Sequence, residues 1–74
     1  MRMVTERYEF AHGRKPKGKG LWFLEMTGTD GNGRYTTFEG CGNGSLAEVK
    51  KRVAHEFKIS VGGVKRIIEC VVLP

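Results

Sequence analysis

The chain has 74 residues, of which 39% are apolar and 28% charged, with 13 Lys and Arg against 8 Asp and Glu for a net charge of +5. A chain of this length folds as one small domain with a thin core, burying roughly 60–65% of its unfolded surface. The composition excludes a disordered tail, and the basic balance favours acidic partners, nucleic acid first among them. No apolar run approaches a membrane span and no signal peptide is visible at Met1, so a cytoplasmic protein is expected. The two cysteines, Cys41 and Cys70, are too few for a disulfide scaffold and are read as reduced thiols.

In chain order, residues 2–11 (RMVTERYEFA) alternate loosely and predict a first strand, with Val4, Tyr8 and Phe10 on one side. "HGRKPKGKG" (12–20) reads as a long hairpin loop carrying Arg14, Lys15, Lys17 and Lys19. "LWFLEMT" is a second strand, rich in aromatic and branched residues. "GTDGNG" has turn chemistry, "RYTTFE" is a third strand, and "GCGNG" breaks it.

Ser45 followed by Glu48 predicts a capping box, and Leu46, Val49, Val53 and Phe57 give the stripe of a helix packed on a sheet. Lys50, Lys51, Arg52, His55 and Lys58 fall mostly on its wet face. "ISVGG" ends the helix, and "VKRIIECVVLP" is a last strand, apolar on both faces, which reads as interior or as a dimer seam. The expected fold is α+β, in the order β-β-β-α-β, with one antiparallel or mixed four-stranded sheet and a single helix on one face.

Two hairpins make the first and third strands run the same way. The basic loop and the "GCGNGS" helix entrance are therefore expected at one end of the sheet, with the Asn-Gly turn and "ISVGG" at the other. Gly42, Gly44 and Ser45 at a helix N-terminus suit an anion. The competing reading is a tight turn whose cap Ser45 satisfies alone. Arg14, Lys15, Lys17 and Lys19 would flank that entrance, with Lys50 and Lys51 one to two turns along the helix. Those groups make the salt-dependent contacts typical of phosphate binding, or else form a solvated mobile loop. Trp22 is a stacking platform for bases or a core side chain.

His12, His55, Cys41 and Cys70 match no zinc spacing. "DGNG" lacks the Glu that would close a calcium loop. No nucleophile, base and orienting group fall together. Neither an enzyme nor a cofactor is expected.

Residues 8–57 resemble a known domain type. Tyr8, a basic turn, Trp22 with Glu25 and Met26, a Gly-rich hairpin turn, "RYTTFEG" and a capped helix are similar to the three-stranded sheet plus helix of phage integrase N-terminal (arm-site) domains and plant ethylene-response-type factors. The resemblance implies DNA binding through the sheet face opposite the helix, by Arg7, Trp22 and Arg34. The alternation of this chain gives that outer face Glu9, Glu25 and Glu39, which repel a duplex, and Leu21, Phe23 and Tyr35, an apolar patch suited to a protein partner. The expectation is a non-enzymatic nucleic-acid-binding module. The alternative is a protein-interaction or accessory/inhibitor protein of a mobile element, homodimeric through the outer sheet face or the last strand.

Overall fold

The computed structural model describes residues 1–74. The elements are β1 (Arg2–Val4), α1 (Glu6–His12), β2 (Lys19–Thr29), β3 (Tyr35–Ser45), α2 (Leu46–Ser60) and β4 (Arg66–Val72). The four strands form one mixed sheet in the order β1-β4-β2-β3. β1 runs parallel to β4, and β2 is antiparallel to both β4 and β3. The fold is α+β as expected, with two helices rather than one.

The second helix lies inside the segment read as a single first strand. Only Arg2–Val4 are extended, and Glu6–His12 turn helical. The residues that look alternating also satisfy i,i+4 contacts. The Thr5 hydroxyl donates to the Glu9 carboxylate, and Tyr8 stacks on His12 with ring centroids 4.1 Å apart. Gly13 closes the helix at φ 70° and donates its N–H to the Glu9 carbonyl, the left-handed stop that glycine adopts without strain. The basic segment is therefore a helix-to-strand connection, not a hairpin loop.

The helix stripe is as expected. Val49, Val53 and Phe57 are buried, and they meet Trp22, Leu24 and Met26 of β2 with Ile67, Cys70 and Val72 of β4. Tyr8 of α1 tilts against Trp22 at 5.5 Å, extending the core beyond α2. Both helices thus cover one face of the sheet, and the opposite face is open. The last strand is interior, between β1 and β2. Ile67, Cys70 and Val72 face the core while Ile68 and Val71 are half-buried on the open face, and with both edges of β4 paired no seam through its edge is available to a second chain.

β3 continues through the glycines that were expected to break it. Gly40, Gly42 and Gly44 occupy strand positions facing α2. A Cβ on Gly40 would meet Val53 Cγ1 at 2.9 Å, and one on Gly42 would reach Val49 and Arg52 at 3.6 Å and 3.5 Å. At Gly42 the added atom would sit in ordinary contact, while at Gly40 the helix lies so close that a larger residue has no room. Gly28 of β2 plays the same part, with Val64 Cγ1 at 2.8 Å and Phe57 Cζ at 3.0 Å from the added atom. Replacement Gly40→Val should therefore destabilise the fold by about 1–3 kcal/mol, the range for overpacking a filled core. Urea unfolding measures it, and an unchanged midpoint would show that α2 does not rest on this strand.

A candidate nucleic-acid interface at one end of the sheet

The β2–β3 register decides what lies together. Lys19 sits opposite Ser45, and Thr29 opposite Tyr35. Segment 14–19 and the first turn of α2 therefore share one end of the sheet. The Asp30–Arg34 turn occupies the other end, where it lines a shallow depression with Gly62, Gly63 and Val64. Both placements match the sequence expectation, although α1 replaces the expected hairpin.

At the first end Arg14, Lys15, Lys17 and Lys19 are all exposed, as is Lys51 on α2, while Lys50 is half-buried. None of them makes an ion pair, and the one ion pair in the structure joins Arg2 to Glu69 on the open face. Lys19 shares the open face with Leu21 and Phe23, which are 53% and 45% exposed, because side chains two apart in a strand point the same way.

The α2 N-terminus is already engaged. Glu48 N–H donates to Ser45 Oγ at 3.1 Å, and Ser45 N–H donates to Glu48 Oε1 at 3.0 Å. The backbone N–H and hydroxyl of Ser45 hold the Glu48 carboxyl below its ordinary pKa, with Arg52 contributing in the same direction. Ser45 caps the helix, and a carboxylate of the chain itself fills the place where an incoming anion would sit. Gly42 and Gly44 present no anion-binding loop, since they are strand residues beneath Arg52. Arg52 lies across both glycines and donates to the Asn43 carbonyl. The sequence reading placed Arg52 only on the wet face. Its position four residues after Glu48 was the available signal.

The three residues implied by the resemblance do not share a surface. Arg7 is on α1, on the covered side of the sheet. Trp22 is 5% exposed, and its indole N–H donates to the Gly44 carbonyl at 3.0 Å. It is a core side chain with a satisfied polar tip and offers no stacking face. Arg34 lies in the far turn, where its N–H donates to Asp30 Oδ1, separated from Lys19 by a strand length of about 30 Å. The open face carries Glu25, Glu39 and Glu69. Glu9, expected there, belongs to α1.

The thiols lie on opposite faces of the sheet. Cys41 is exposed, and Cys70 is buried, with desolvation pushing its pKa up against a smaller opposing pull from Lys50. No three His, Cys, Asp or Glu side chains come together as metal ligands. Neither helix is long and apolar enough to cross a membrane.

Compared with family models, curated proteins and solved structures, the chain matches none.

Glu48 reports on the helix entrance through its titration. A carboxyl held below its ordinary pKa by folding stabilises the fold above the unfolded value and loses that contribution as pH falls through the folded value. An NMR titration should find the Glu48 carboxyl below the usual glutamate range, and Ser45→Ala should raise it. A carboxyl at its ordinary value would mean that the box is open and the helix N-terminus free.

Proposed function

We propose that this chain is a non-enzymatic module that binds the phosphate backbone of nucleic acid at the Lys19–Ser45 end of its sheet. Arg14, Lys15, Lys17 and Lys19 make the principal contacts, and Lys50 and Lys51 extend the surface along α2. One observation supports the reading above the others. The strand register sets Lys19 beside the α2 entrance, and Arg14, Lys15, Lys17, Lys19 and Lys51 are exposed and without carboxylate partners. Elsewhere the charge is mixed, with carboxylates on the open face and Arg52 turned onto β3.

The binding surface is the connection from α1 to β2 and the exposed side of the first α2 turns. The capped N-terminus and the sheet face are not part of it. Glu48 repels an anion from the first, and Glu25, Glu39 and Glu69 repel it from the second. Contacts of this kind position a backbone and carry no base code, so one affinity for many sequences is the expected behaviour.

Binding should be weak, roughly 10⁻⁴–10⁻⁶ M at moderate salt, and should fall linearly on a log–log salt plot with a slope of about −0.7 to −0.9 per phosphate contacted. The double replacement Lys15→Glu, Lys17→Glu should weaken binding and flatten the slope by about two such contacts. Both side chains are exposed, so the thermal midpoint should stay close to that of the parent. Fluorescence anisotropy with labelled single- and double-stranded oligonucleotides makes the measurement. Affinity that is independent of salt, or equal in parent and double variant, contradicts the proposal.

A further inference from the structure

β3 is an 11-residue edge strand with few of the usual guards against pairing. It holds no proline, no lysine or arginine, and a single carboxylate, Glu39. Natural edges are ordinarily blunted by charge, proline, a bulge or a cover. The one register irregularity of the sheet lies on its other side, between β2 and β4.

The hydrogen bonds show which backbone groups of β3 are free. The Leu73 N–H donates to the Phe23 carbonyl at 2.9 Å, and the Lys65 N–H to the Thr29 carbonyl at 2.8 Å. Odd-numbered residues of β2 therefore turn their backbone toward β4, and even-numbered ones toward β3, because bonding alternates along an antiparallel strand. β2 and β3 pair odd with odd, so the odd residues of β3 point away from the sheet. Two further bonds agree. The Asp30 N–H closes the turn on the Arg34 carbonyl, and the outward carbonyl of Asn43 accepts from Arg52. Arg52 thus closes the last part of the edge. Tyr35, Thr37, Glu39 and Cys41, all exposed, keep their outward N–H and C=O groups free of any protein partner.

We infer that this open stretch pairs antiparallel with the same stretch of a second copy, joining two sheets into one of eight strands. An antiparallel strand is its own complement under a two-fold axis, so one edge supplies both halves of the seam. The axis is perpendicular to the sheet, which keeps the helices of both copies on the same side. The register follows from the blocked and charged positions. An axis at Gly40 would set Thr37 against Asn43, whose carbonyl Arg52 holds. An axis at Glu39 would set two carboxylates directly opposite, which is unfavourable. An axis at Phe38 sets Tyr35 opposite Cys41 and Thr37 opposite Glu39, with every outward group matched and the hydroxyl of Thr37 beside the carboxylate. The seam uses no residue of the proposed phosphate surface and stands or falls apart from it. A segment of a different protein adding to the same edge is the competing occupant.

Light scattering at high micromolar concentration should give a mass near twice 8.3 kDa. A mass of one chain there overturns self-pairing and leaves the edge to a foreign strand. Thr37→Pro removes an N–H that is free in the single chain, a place where an edge strand accepts proline. It should return the mass to one chain with an unchanged circular dichroism spectrum, and a folded variant that stays dimeric overturns the assignment to β3. Tyr35→Cys tests the register without touching the backbone. Mild oxidation should link it to Cys41 of the second copy, and adding Cys41→Ser should remove the link. If Tyr35→Cys gives no linked dimer, or gives the same link when Cys41 is Ser, the register is wrong.

Discussion

The close seating of α2 on the glycine side of β3 is the constraint on which the rest of the structure depends. Gly40, Gly42 and Gly44 give the helix a floor without side chains. Val49, Val53 and Phe57 can then reach past β3 into the core, where they meet Leu24, Met26, Cys70 and Val72. Phe57 also stacks on Phe38 at 5.1 Å, so the aromatic contact lies beside the glycine floor. With so few core residues, each buried apolar group carries a large share of a small total. Close packing compensates for the thin core, since dispersion falls away quickly when surfaces separate.

That seating also arranges the charge. Helix and strand meet at the Ser45 corner, where the capping box turns the chain directly from β3 into α2. The same corner faces Lys19 across the β2–β3 ladder. The cations of segment 14–19 are thereby brought beside the basic turns of α2, while Arg52 is drawn down onto the glycines and the Asn43 carbonyl. One arginine thus holds the end of the β3 edge, and the remaining cations stay free for a ligand. The open face keeps Leu21 and Phe23 exposed near Lys19, with Tyr35 apart from them at the far end opposite Thr29, and carries three carboxylates. The proposed phosphate surface accordingly belongs to an end of the sheet and not to a face.

Much of this was legible in the residues. The Ser45–Glu48 box and the stripe from Leu46 to Phe57 predict α2 almost to its bounds, because a cap and a periodic apolar face are both local signals. The hairpin turn at Asp30–Arg34 is equally local. The gathering of the basic segment and the α2 entrance at one end followed from strand direction alone. The misread parts depend on what neighbours do. Tyr8 and Phe10 fit an alternating strand on paper, yet Tyr8 faces Trp22 from a helix and Phe10 is 95% exposed. Gly13 after His12 was the missed stop signal. The β3 glycines read as a break because only the approaching helix explains them. The two-faced apolar pattern of β4 left an interior strand and a dimer seam both open, and only β1 joining it in parallel from the other end of the chain decides for the interior. For the same reason the residues implied by resemblance, Arg7, Trp22 and Arg34, could be named from their order but not placed on one surface.

The central claim is one of location: nucleic acid meets the end of the sheet where Lys19 faces Ser45. Amide chemical-shift mapping during titration with a short oligonucleotide at low salt tests it most directly. The account predicts the largest shifts over residues 13–20 and 46–51, collapsing as salt is raised, with β3 residues 35–41 little affected. Shifts centred on the open-face strands, or spread evenly over the chain, would contradict it.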